Sequence, residues 1–171
     1  MTRLVFRRAA LGQLRAADLE LEAGRYVLLS SEREAMASVL TLASGRQAPR
    51  SGQVSLDGEA PVASPELRRQ IAALFDEEAL PPARTVLASV ELALSARRAR
   101  ADLARSLLED FGLAQLATAS PVSLTERELR SVALALALSH DSSSLLVLQE
   151  PLTTLLPKAL VLGALDRHTA R

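Results

Sequence analysis

Leu145-Leu146-Val147-Leu148-Gln149-Glu150-Pro151 is the stretch that decides the fold class. Four aliphatic residues follow one another with no polar alternate. Such a run suits a strand covered on both faces, as in a parallel sheet, rather than a half-exposed one. Just upstream, Thr125-Glu126-Arg127-Glu128 fits a capping box, with Thr125 as cap and Glu128 reaching back. It predicts a long helix running to about Ser139. Just downstream, Pro157 is placed to open a final helix.

The first half of the chain reads as strands broken by turns. Leu4–Phe6 and Leu19–Leu21 are short strand candidates, and Ala23-Gly24 marks a turn. Tyr26–Leu29 is a second continuous apolar run, expected to be a strand buried on both faces. Ala35, Val39, Leu40 and Leu42 have helical spacing within Glu34–Ala43, and Gly45 suits the stop. Gln53–Leu56, between Ser51-Gly52 and Asp57-Gly58, is a strand leading into a tight turn. Ser64-Pro65-Glu66 resembles an N-cap with proline in the first turn, and Ile71–Phe75 is a further apolar strand.

From Glu77 to about Val122 there is no good strand. Leu103, Leu107, Leu108 and Phe111 form the apolar stripe of a helix that Gly112 ends. Strand–helix–strand units interrupted by a helical stretch predict an α/β core with an α-helical subdomain. The expected division is residues 1–76 and 140–171 as core and 77–139 as subdomain.

Composition narrows the function classes. A chain of 171 residues can hold one full core, or a core with a small subdomain. Hydrophobic residues make up 49%, yet Phe6, Tyr26, Phe75 and Phe111 are the only aromatics, so aliphatic side chains must fill the core. The formal net charge is zero. That lacks the basic footprint of a nucleic-acid binder and the polybasic patch of a membrane-surface protein. Without cysteine there are no disulfides or thiolate metal sites, and His140 and His168 are too few for a histidine-built zinc site. No apolar run reaches the ~18–20 residues that span a bilayer, and the N-terminus has no secretory signal pattern. A soluble cytoplasmic protein is expected. Lys158 is the sole lysine among many arginines, a bias that suggests a GC-rich bacterial genome.

Seven segments, in order and at matching spacing, resemble the ATPase subunit of ABC transporters. Leu19–Leu29 is similar to the lead-in to that family's phosphate loop, and Ser51–Gly58 to its S-G-x-V-x-x-D-G hairpin. Leu67–Ile71 resembles the approach to its Q-loop, and Thr85-Val86 the pair after it. Phe111-Gly112-Leu113 resembles the segment before its signature motif, and Val132–Leu138 its signature helix. Leu145–Pro151 resembles its Walker B strand with the D-E-P end. The resemblance implies a P-loop NTPase-like fold with an inserted helical subdomain, C-terminally truncated relative to the family.

The same alignment implies that the ATP chemistry is lost. A phosphate loop needs glycines, whose N–H groups curl around phosphate, a lysine for its charge, and a hydroxyl for Mg²⁺. The pattern G-x-x-x-x-G-K-[ST] falls on Ser30 to Ala37. Ser30 and Ala35 replace the glycines, Met36 the lysine and Ala37 the metal ligand, while Glu32 and Glu34 add negative charge. Ser38 keeps a hydroxyl at the next position, and Arg33 is read as a solvated loop cation. The Walker B aspartate is Gln149, a poor ligand for a hard cation. Glu150 remains at the catalytic-glutamate position as a remnant. The Q-loop glutamine is Asp76, and no aromatic sits around Arg8 to Leu11, where the family stacks adenine. The signature L-S-G-G-Q becomes Leu124-Thr125-Glu126-Arg127-Glu128, in which a capped helix is the expected role. No cofactor and no metal are therefore expected, and ATP binding is expected to be weak or absent.

In that family a further strand follows the last helix, carries the switch histidine, and lies between the Walker A and Walker B strands. This sequence stops at Arg171; His168 lies in the preceding helix, and Leu156 stands at the D-loop aspartate. Three possibilities stand open: a fragment of a longer protein, direct closure between Tyr26–Leu29 and Leu145–Leu148, or a strand supplied by a partner. The function expected is a non-catalytic scaffold or regulatory module. Its partner would be an ABC-type ATPase, a membrane permease or a second copy, with residues 77–122 as docking surface. The alternative is a degenerate subunit that pairs with an active ATPase and completes its site through Glu150 or Thr125. An independent enzyme finds no Ser-His-Asp, Cys-His or metal cluster to support it.

Overall fold

The computed structural model describes residues 2–75, 80–140 and 143–169, the last two of these by main chain only. In chain order the elements are β1 (Leu4–Leu11), β2 (Leu14–Leu21), α1 (Arg33–Ala43), β3 (Ser51–Leu56), α2 (Pro65–Arg69), β4 (Ile71–Leu74), α3 (Val86–Ala96), α4 (Ala104–Asp110), α5 (Glu126–Leu138), β5 (Leu145–Leu148) and α6 (Lys158–Thr169). They form two compact units, one of Met1–Phe75 with Ser142–Gln149, the other of Asp76–Asp141 with Glu150–Arg171.

The first unit is α/β. An antiparallel sheet of order β2-β1-β3 sets Phe6 opposite Leu19 on one side and Val54 on the other. The register shifts after Phe6, where Arg8 takes a left-handed φ of +48° and its N–H is held by the Asp18 carboxylate at 2.8 Å. This bulge is why β1 and β2 outrun the short strands read from the sequence: Arg7-Arg8-Ala9-Ala10 breaks the alternation that marks a strand. Opposite it, Gly52 has φ +77°, and a Cβ there would lie 2.2 Å from the Arg8 carbonyl oxygen. Only glycine fits.

The second sheet pairs β4 with β5 in parallel, Ile71 opposite Leu145 through Leu74 opposite Leu148. Phe6, Leu40, Leu42, Leu56, Ile71 and Val147 meet in one buried cluster, so α1 and strands of both sheets share a core. Caps fix the helix entries. The Ser64 hydroxyl accepts from Leu67 N–H at 3.2 Å with Pro65 next in line, as the sequence predicts. At the other end of α1, Gly45 (φ +68°) donates to Leu42 and Arg46 to Thr41, which closes the helix.

Tyr26–Leu29 departs from its expectation. It is not a strand and is exposed along its length. Direct closure against β5 is not made either: β5 pairs with β4 alone among the described strands. A strand buried on both faces needs neighbours to complete its backbone bonds and layers to cover it, and this run has neither.

The second unit is helical. Val86 and Val90 of α3, Leu108 of α4, Val132 and Leu134 of α5 and Val161 of α6 are almost fully buried. Thr85 caps α3 by accepting from Ala88 N–H at 3.2 Å, and Arg97 donates to the Leu136 carbonyl at 2.8 Å. Glu150–Arg171, which the sequence groups with the α/β core, belongs here because α6 packs on α5 and the loop before it bonds to α5.

Candidate functional site

Ser30, Ala35, Met36, Ala37 and Gln149 lie in the first unit; Thr125 and Glu150 lie in the second. Each set is built by its own elements.

In the first unit the phosphate-loop positions form the turn into α1. The Ser30 hydroxyl accepts from Glu32 N–H at 2.9 Å, closing a tight local turn. Glu32 is the residue before the helix, and its side chain makes no capping bond. Glu34 stands in the first turn, and Met36 N–H donates to the Glu32 carbonyl at 3.2 Å as an ordinary helical bond. Ser30, Glu32 and Glu34 are exposed and Ala35, Met36 and Ala37 half-buried. Ser38, the remaining hydroxyl, is buried and donates to the Glu34 carbonyl at 2.9 Å. That back-bond occupies its proton within the helix. A helix start ordinarily attracts anions through its N–H groups and dipole. Here two carboxylates already occupy that field.

Gln149 is buried at the end of β5, and its N–H extends the ladder by donating to the Leu74 carbonyl at 2.9 Å. α1 packs beside β5, so the fold brings the phosphate-loop positions and the Gln149 strand into one unit. Asp76 lies outside the described residues.

In the second unit, Thr125 and Glu128 form the full capping box. Thr125 N–H and Oγ1 donate to Glu128 Oε2 at 2.8 and 2.7 Å, and Glu128 N–H donates back to Thr125 Oγ1 at 3.3 Å. The hydroxyl bond first, and the backbone bond second, hold the Glu128 carboxyl below its ordinary value. The threonine hydroxyl is thus spent on the cap. Glu126 and Arg127 fill the positions where the resemblance implies glycine.

Glu150 is exposed, with a left-handed φ of +44°. Its carbonyl accepts from Thr153 N–H (3.1 Å), Thr153 Oγ1 (2.8 Å) and Arg130 Nη2 (3.4 Å). Ser131 Oγ accepts from Leu155 N–H at 2.9 Å. The sequence reading missed Arg130 and Ser131. Their signal was available: a polar pair interrupts the apolar run from Leu129 to Leu138, yet both are buried. Among the described residues no group of three or more His, Asp or Glu is arranged to hold a metal ion, and no helix is long and apolar enough to cross a membrane.

The chain is 36% identical over 158 residues to the aliphatic sulfonates import ATP-binding protein SsuB of Pseudomonas entomophila (strain L48), covering 91% of this chain and 52% of that protein. It is 33% identical over 133 residues to an uncharacterized ABC transporter ATP-binding protein of Mycobacterium tuberculosis (strain CDC 1551 / Oshkosh), 71% and 54%. The chain is a relative of ABC transporter ATP-binding proteins. It spans about half the length of the curated relatives it matches. Among solved structures, a dimeric bacterial ABC transporter cassette superposes with a TM-score of 0.76 at 21% identity, over 99% of this chain and 83% of that one. An ATP-binding subunit of an ABC transporter gives 0.75 at 20%, over 98% and 75%. The α/β fold is that of the ABC ATPase cassette, a P-loop NTPase fold. No family model matches the chain.

Proposed function

We propose that this relative of the ABC ATP-binding proteins is a non-catalytic, pseudo-ATPase module that works through protein contacts. One observation carries the reading: the start of α1, where the phosphate loop aligns, presents Glu32 and Glu34 with Met36 and Ala37 at the lysine and metal-ligand positions. A triphosphate brought there meets two carboxylates flanking a single arginine, Arg33, with neither a lysine nor a metal-ligand hydroxyl at the two aligned positions. Gln149, neutral and buried, supports the same reading, as does the Thr125 hydroxyl committed to Glu128. The partner is a protein of the transport complex, either an active ATPase or a membrane permease, and the module sits at the cytoplasmic side through that partner. Isothermal titration with Mg·ATP tests this: no saturable heat is expected, and a micromolar dissociation constant would overturn it.

A second reading is favoured by Glu150 alone. Its carboxylate is exposed while its main chain is held by Thr153 and Arg130. Paired with an active ATPase, this residue would complete the partner's site. Glu150→Gln would then lower the turnover of the assembled pair without changing assembly.

A further inference from the structure

We draw no further inference here: the strongest candidate, the exposed apolar run Tyr26–Leu29 between β2 and α1, carries nothing, because the chain spans only about half the length of the curated relatives it matches and nothing in the structure shows what covers the run.

Discussion

Arg130 donates from Nη2 to the main-chain carbonyl of Glu150 at 3.4 Å, from a side chain only 5% exposed. The next residue on α5, Ser131, accepts from Leu155 N–H at 2.9 Å. Two adjacent buried polar groups thus fasten both ends of the loop Glu150–Leu155 to one helix. The left-handed Glu150 is held between them and the Thr153 turn. Arg130→Ala removes a charge-assisted bond and leaves a void, so it should destabilise the chain by about 2–3 kcal/mol in urea unfolding. Ser131→Ala, which leaves the Leu155 N–H without its acceptor, should cost about 1–2 kcal/mol.

The capping box on α5 makes stability depend on pH. Thr125→Ala should cost about 1 kcal/mol at neutral pH. The Glu128 carboxyl is held below its ordinary value by Thr125, so its contribution is present above the unfolded carboxyl pKa. That contribution is lost as pH falls through the lower folded value. Glu128→Gln should therefore destabilise at pH 7 and converge on the native chain at strongly acidic pH. Denaturant midpoints measured from pH 7 down to the acid limit check the sign.

Two left-handed glycines separate strain from collision. Gly58 has φ +86° with nothing near its missing Cβ, so Gly58→Ala carries only conformational strain, about 1–2 kcal/mol. At Gly52 the same change drives Cβ to 2.2 Å from the Arg8 carbonyl, which is itself fixed in the β1 bulge. Gly52→Ala should cost clearly more, about 3 kcal/mol or above, because backbone must move on both strands. Thermal or denaturant unfolding of the two variants side by side measures the difference.

The helix entries at Ser64 and Thr125 were legible because a cap is a local bond between residues three apart; the Thr85 cap of α3, of the same kind, went unread. Tyr26–Leu29 failed for the opposite reason. Its composition states what the run prefers to be buried in, while strand formation depends on neighbours far away in sequence, and here none is in place. Arg130 was invisible for a related reason: a lone arginine reads as solvent-facing until the carbonyl it reaches, twenty residues on, is located.

On the proposed pseudo-ATPase reading, changing charge alone should not create nucleotide binding. Met36→Lys with Ala37→Thr supplies the cation and the metal-binding hydroxyl at the start of α1. It leaves Ser30 and Ala35, whose side chains keep the backbone from approaching phosphate, and it leaves Glu32 and Glu34 in the turn. The double variant should still show no saturation with Mg·ATP up to about 1 mM, an affinity near −4 kcal/mol. Adding Ser30→Gly, Ala35→Gly, Glu32→Ser and Glu34→Gly should tighten binding at least about tenfold, since the loop then presents N–H groups and two cations, Arg33 and the introduced lysine, where the native turn sets two carboxylates against Arg33 alone. Titration calorimetry on both variants, with circular dichroism to show that α1 still folds, decides between them. Tight binding by the double variant alone would mean that charge, and not backbone access, was what the native loop lacked.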